Sequence, residues 1–293
     1  MKVAGFTFIK NAVKNDFTIK EAILSILPIC DEFIIAHGNS DDETLALLQT
    51  IDSPKIKIIS TVWDESSRVS GKVLAQETDK AYAAISPDVD WAFYIQGDEC
   101  VHEKYLDTIR TEMQNCLSDP KIEGLLFKYK HFYGSYDFIA HSRRWYRREI
   151  RIVRNLPDVQ SYRDAQGFRR NGKKLNVKLI DAFIYHYGWV KSPAGLRTKV
   201  KNMGTFFTPD DEWLNQVYHD EFEFDFHNAE KLLHFTDSHP AVFQQKVQQA
   251  NWKFNFDPTL LKSKISPRRK ILNFIEEITG IRLFEYKNYK KIN

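Results

Sequence analysis

Four times in its first hundred residues the chain runs from a short apolar stretch into a polar cluster and then into a helix-period segment. Val3 to Ile9 reads as a buried strand. A helix follows with Ile19, Ala22, Ile23, Ile26 and Leu27 on one face, stopped by Pro28. Phe33 to Ala36 is a second strand, and Ser40 with Glu43 predicts a capping box for a helix carrying Leu47, Leu48 and Ile51. Lys55 to Thr61 alternates as a third strand, followed by a helix over 72–85. Trp91 to Ile95 is a fourth strand, followed by a helix marked by Tyr105, Ile109, Met113 and Leu117. Alternation of this kind requires right-handed crossovers and a largely parallel sheet covered on both faces.

After Glu123 the rhythm changes. Strands are expected at 124–132, 150–153 and 182–187, separated by charged loops. From Pro193 helices dominate, over 194–207, 210–218, 239–250 and 267–279. The organisation expected is an α/β domain over residues 1–190 and a mainly helical extension over 191–293 packed on it. Such a length suffices for a large core without staples.

Composition excludes several classes. A formal net charge of +3 among 28% charged residues is too mild for a nucleic-acid-binding chain. Cys30, Cys100 and Cys116 form no CxxC pair, which argues against a disulfide framework or zinc site and fits a reducing compartment. Neither a signal-peptide pattern nor an apolar run of about 20 residues is read, so a cytoplasmic protein is expected. No GxGxxG, GxxxxGK[ST] or HExxH occurs, and no serine or cysteine nucleophile sits in a familiar setting.

In an open parallel sheet, ligands bind beyond the carboxyl ends of the strands. The four strands are followed in turn by Lys10-Asn11, by His37 to Thr44, by Trp63-Asp64-Glu65, and by Gln96-Gly97-Asp98-Glu99. All four sets should converge on one rim, and acids at three of them suit a site that handles phosphate through a metal.

The ordered series Lys-Asn, Asp-Glu-Phe-Ile-Ile-Ala-His-Gly-Asn-Ser-Asp-Asp-Glu-Thr, Trp-Asp-Glu and Trp-Ala-Phe-Tyr-Ile-Gln-Gly-Asp-Glu resembles family 2 glycosyltransferases of the GT-A fold. Tyr-Arg-Asp-Ala-Gln-Gly-Phe (162–168) and Tyr-His-Tyr-Gly-Trp-Val (185–190) are similar to segments of bacterial members that act on surface polysaccharides. The resemblance spans about residues 3–206. It implies a Rossmann-like sheet, a nucleoside diphosphate sugar donor, a glycan or lipid-linked acceptor, and Mg²⁺ or Mn²⁺. Asp98 matches the second acid of the family's Asp-x-Asp motif, and His186 matches a histidine that can complete the metal site or bind the diphosphate. The donor set implied is Lys10, Asn11, His37, Asp64, Gln96 and Asp98, with Arg151 and Arg154 drawn from the basic run 143–154. Asp164 is the expected base for an inverting transfer, with Glu99 and Asp64 as rivals.

Two positions depart from the pattern. Gln96 replaces the first acid of Asp-x-Asp, and His37-Gly38 stands where the family has an acid facing the base. They leave open a binding module that has lost catalysis. A sugar-phosphate nucleotidyltransferase is the other alternative, although the first strand lacks the glycine-rich basic loop it needs. The tail beyond Lys262 combines basic residues with Ile271, Leu272, Phe274, Ile275 and Ile278. A docked terminal helix accounts for it, and so does peripheral contact with the inner face of a membrane.

Overall fold

A computed structural model describes residues 1–64, 70–207, 229–250, 252, 257–261 and 265–292. Its first part follows the expected alternation: β1 (Val3–Ile9), α1 (Ile19–Ile26), β2 (Glu32–His37), α2 (Thr44–Gln49), β3 (Ile56–Ser60), α3 (Lys72–Ala83) and β4 (Trp91–Tyr94). Then come β5 (Glu99–Val101), α4 (Leu106–Cys116), β6 (Gly124–Tyr133), β7 (Phe138–Ala140) and β8 (Arg148–Arg154). A small second sheet holds β9 (Val159–Tyr162), β10 (Gly167–Arg170) and β11 (Lys173–Lys174).

The long β12 (Asn176–Trp189) returns to the main sheet and precedes α5 (Pro193–Gly204). The remainder contributes β13 (Leu232–His234), α6 (Gln244–Gln249), α7 (Pro267–Thr279) and β14 (Lys290–Ile292). The helix expected at 210–218 lies outside the described residues.

The main sheet runs β13-β7-β6-β8-β4-β1-β2-β3, with β12 joined to β6, β5 and β14. The β3-β2-β1-β4 half is parallel throughout. Beyond it β8 runs antiparallel between β4 and β6, and β12 lies parallel to β6. This is the α/β architecture expected, parallel where strands and helices alternate and mixed where that rhythm breaks.

Side chains alternate across the sheet into two cores, because successive Cβ atoms point to opposite faces. One face packs Phe33, Phe93 and Phe127 against Ile23 and Ile26 of α1 and Ile109 and Met113 of α4. The other packs Phe6, Ile34 and Tyr94 against Val73, Leu74 and Tyr82 of α3 and against Phe168 of the small sheet. Cys30, Cys100 and Cys116 are buried free thiols.

One local expectation is corrected. Ser40 and Glu43 make no capping box at α2. The Ser40 hydroxyl instead accepts from the Asn11 amide (3.0 Å), and Asp42 accepts from the Thr44 amide (3.0 Å). Asp42 also accepts from the Lys14 amide (2.8 Å), so both side chains tie the loop after β2 to the loop after β1. Among the described residues, no helix is long and apolar enough to cross a membrane.

Candidate active site

Register brings the central group together. β5 begins one residue after Asp98 and pairs antiparallel with β12, placing Glu99 opposite His186. β6 pairs with β12 on the other side, placing His131 opposite His186. The Tyr187 amide donates to the Asp98 carbonyl (2.8 Å), and Thr18, just before α1, donates to the Gly97 carbonyl (3.2 Å), so the 96–98 loop is pinned from two sides.

Asp98 Oδ1 lies 3.8 Å from His186 Nε2, while Oδ2 accepts from Lys199 Nζ at 2.8 Å. Lys199 also donates to the Gly188 carbonyl (2.9 Å). Burial opposes a charge on Asp98, but the Lys199 ammonium outweighs it and holds the carboxyl well below its ordinary range. Gly188 explains part of the Tyr-His-Tyr-Gly-Trp segment. A Cβ at residue 188 would sit 2.6 Å from Asp98 Oδ2 and 2.8 Å from His186 Nε2. The glycine leaves room beside these two groups.

The tautomer of His186 follows from its neighbours. Burial holds His131 well below the usual histidine range, so it is neutral at pH 7, and its Nε2 lies 2.8 Å from the Tyr146 carbonyl, which can only accept. His131 Nδ1 therefore carries a lone pair, and the proton of the 3.2 Å Nδ1–Nδ1 contact belongs to His186. Burial also lowers the pKa of His186. Its Nε2 thus turns a lone pair toward the Asp98 carboxylate. Two acceptors face each other across a small space, an arrangement that a cation between them relieves.

A carboxylate, a neutral imidazole and the space above Gly188 fit a hard divalent ion that takes its other ligands from phosphate and water. They do not make an all-protein cage: among the described residues no group of three or more His, Cys, Asp or Glu side chains could hold a metal.

Two clefts open along the rim, and Asp98, His186 and Lys199 line neither of them. One, of about 440 Å³, is lined by Lys10, Asn11, Asn39, Asp41 and Trp63 from the ends of β1 to β3, and by Lys201 and Asn202 of α5. Lys10 Nζ stands 5.7 Å from the Trp63 ring centroid, and the Trp63 indole N–H is buried without a partner among the described residues. Asn11 adopts a left-handed φ of 52° and accepts from the Asp41 amide (2.9 Å). His37 is buried at the end of β2, its Nε2 likewise unpartnered, and burial lowers its pKa.

The other cleft is lined by Asp64, Gln96, Tyr146, Arg151, Asp164 and Gln166 among others. Asp164 sits in the β9–β10 turn between Arg163 (φ 59°) and Ala165 (φ 61°), two non-glycine residues in the left-handed region. Such backbone persists only where its surroundings hold it. Here Gln96 Nε2 donates to the Ala165 carbonyl (3.3 Å) and Arg151 donates to the Gln166 carbonyl (3.1 Å).

Three expectations are corrected. Glu99 is fully buried, accepts two bonds from Arg151 (2.7 and 2.8 Å) and one from Tyr129 (2.7 Å), and is out of reach of a substrate proton. Arg151 spends all its donors on Glu99, the Ile150 and Gln166 carbonyls and Gln96, leaving none for phosphate. Arg154 pairs with Trp91 at the opposite end of the sheet. Its guanidinium there donates to the carbonyls of Ile122, Cys116, Leu117 and Asp119 beyond α4.

Other residues of the centre carried no motif. Lys199 follows Leu196 by three residues and precedes Met203 by four, so a cation on the apolar stripe of α5 was its only signal. His131 sits on a strand in which nearly every residue is buried, where a histidine needs a partner. Lys191, almost fully buried, donates to the Asp16 carbonyl, and burial lowers its pKa to about 8.

A sheet whose parallel half ends in a polar rim at the carboxyl ends of its strands defines an α/β protein. No protein-family model and no curated protein matches the chain. Among solved structures it is similar to residues 1–349 of S. aureus TarS, crystallised with UDP. Identity there is 15% over 74% of this chain and 69% of that one, at a TM-score of 0.38. It is also similar to glucosyl-3-phosphoglycerate synthase from Mycobacterium tuberculosis, crystallised with Mn²⁺, UDP and phosphoglyceric acid. Identity there is 20% over 45% of this chain and 43% of that one, at a TM-score of 0.28. Likenesses this distant carry no weight for chemistry.

Proposed function

We propose that the chain is a glycosyltransferase that moves a hexose, with inversion, from a nucleoside diphosphate sugar to a glycan or lipid-linked acceptor. The observation that carries this reading is the Asp98–His186 pair around the space left by Gly188, backed by Lys199, just past the end of β4. The resemblance to family 2 glycosyltransferases supports it, as does the placement of Lys10, Asn11 and Trp63 in the first cleft and Asp64 and Asp164 in the second.

Asp98 and His186 would hold a Mg²⁺ or Mn²⁺, which would supply Lewis-acid charge to the leaving diphosphate. Lys199 adds a fixed positive charge beside it. Lys10 and Asn11, with the Trp63 indole, would orient the nucleotide in the first cleft. Asp164 would take the proton of the acceptor hydroxyl as that oxygen bonds to the anomeric carbon and the bond to the diphosphate breaks. Gln96 positions Asp164 through the Ala165 carbonyl, which gives the neutral residue in place of an acid a use of its own. Donor use of this kind belongs on the cytoplasmic side, at the inner face of the membrane when the acceptor is lipid-linked.

A thermal-shift series with nucleotide sugars, with and without Mn²⁺, tests donor binding. Donor consumption is then compared between the wild type and Asp98→Asn, which should be slower by about a hundredfold or more. Full turnover with unchanged metal dependence in Asp98→Asn sinks the reading. Pyrophosphate release would select a nucleotidyltransferase, and binding without consumption a module that has lost catalysis.

A further inference from the structure

α7 is turned inside out. Surface helices ordinarily bury an apolar stripe and show a charged one. Here Ser266 caps the helix, Pro267 opens it and Gly280 closes it, yet none of its residues is buried. Its half-covered side holds Asn273 and Glu276 beside Leu272 and Ile275. The Glu276 carboxylate is bound by Arg143 (2.6 Å) and Arg282 (2.8 Å), with Arg147 at 3.5 Å. The opposite side presents Ile271, Phe274 and Ile278, between 61% and 69% exposed, at spacings of three and four residues. Ion pairs hold the helix down by its polar side and aim its apolar side at solvent.

The segment that follows extends the same surface. Ile281 is 59% exposed and Phe284 83% exposed. Phe284 has a φ of 58°, a left-handed conformation that bulky side chains rarely adopt. A strained backbone that displays a phenyl ring to water points to a use for the ring. Large apolar side chains exposed together in this way mark a docking surface.

Charge identifies the occupant. Exposed Arg268 and Lys270 lie on the helix that carries the apolar stripe, and no ion pair engages either of them among the described residues. The exposed acid on the helix, Glu277, is answered by Lys231 at 3.3 Å. A second copy of the chain meeting this surface across a twofold axis would set these cations against their own images. An anionic bilayer complements them and receives the apolar side chains below its headgroups.

We propose that the outer face of α7, together with Ile281 and Phe284, docks on an anionic lipid surface. The helix lies in the plane of the headgroups, with Ile271, Phe274, Ile278 and Phe284 inserted. Phe284 and Arg268 also line an arginine-rich cleft of about 570 Å³ that reaches Tyr146 and Gln166, which in turn line the cleft of Asp164. On the transferase reading, a lipid-linked acceptor held at the bilayer would approach the base from this side. The docking itself does not depend on that reading.

The test is flotation of the full chain with phosphatidylcholine vesicles, with and without phosphatidylglycerol, at low and high salt. The wild type should float with the phosphatidylglycerol vesicles and release in salt. Phe274→Ser/Ile278→Ser should weaken binding by roughly tenfold or more, with an unchanged melting temperature. Arg268→Glu/Lys270→Glu should erase the preference for phosphatidylglycerol. Failure of the wild type to bind either vesicle overturns the proposal. So does a dimer in sedimentation that Phe274→Ser/Ile278→Ser dissociates while vesicle binding is absent. Nucleotide-sugar binding, measured without vesicles, reports separately on the site.

Discussion

His131 and His186 meet through their Nδ1 atoms, 3.2 Å apart, and the proton between them belongs to His186 because His131 gives its own to the Tyr146 carbonyl. The consequence is directional: the lone pair of His186 Nε2 points at Asp98. A long-range ¹H–¹⁵N spectrum should show His186 as the Nδ1–H tautomer at pH 7. His131→Ala should mix the tautomers and, on the proposal that His186 holds Mn²⁺, weaken Mn²⁺ activation by about ten- to a hundredfold.

Gly188 should not tolerate a methyl group. An alanine Cβ would stand within 2.6 Å of Asp98 and 2.8 Å of His186, and both are held by other partners and cannot withdraw freely. Gly188→Ala is expected to lower kcat by about a hundredfold, as misplacements of about 1 Å do. Circular dichroism and the melting curve should stay close to the wild type. Wild-type kinetics in this variant would show that the space has no role.

The buried Glu99–Arg151 pair is structural. Arg151→Ala would leave a carboxylate in the core facing Tyr129 with no counter-charge. The expected loss is about 3–5 kcal/mol in urea denaturation, against a much smaller change for an exposed arginine such as Arg268. A loss below about 1 kcal/mol would mean that water or another cation reaches Glu99.

Glu149 gives the fold a pH dependence. Burial raises its pKa to about 7, although Arg151, Gln166 and the Ile150 amide favour the charge. A carboxyl whose folded pKa lies above its unfolded value stabilises the fold fully below the unfolded value, near 4.5, and that stabilisation is lost as pH rises through 7. The contribution is on the order of 3 kcal/mol. The melting temperature should fall between about pH 5 and pH 8 from this group, and Glu149→Gln should flatten that slope. An unchanged slope in the variant would assign the dependence elsewhere.

Much of this structure is legible in the sequence where local pattern and global fold agree. The four apolar runs with polar ends predict the parallel half of the sheet, and the rim residues Lys10, Asn11, Asp64, Gln96 and Asp98 fall where strand ends place them. What could not be read depended on long-range register. Nothing local says that β12 lies between β5 and β6, so the meeting of His186 with His131 had no signal beyond a histidine on a buried strand. Arg151 and Arg154, three residues apart on one strand, suggested a shared phosphate role. Antiparallel pairing with β4 sends Arg154 to the far end of the sheet and leaves Arg151 buried against Glu99. Ser40 and Glu43 matched a helix cap by spacing, but the loop after β1 claimed the hydroxyl first.

β14 is three residues long, yet it pairs with the start of the strand that carries His186, more than a hundred positions earlier. The sheet is therefore not finished until residue 292 has been made. A chain halted near Lys287 would expose the backbone of Asn176 to Lys178 as an open edge, a template for another strand. Synthesis of β12 and the pairing of its first residues with β14 are separate events, and in the interval between them that edge lies open.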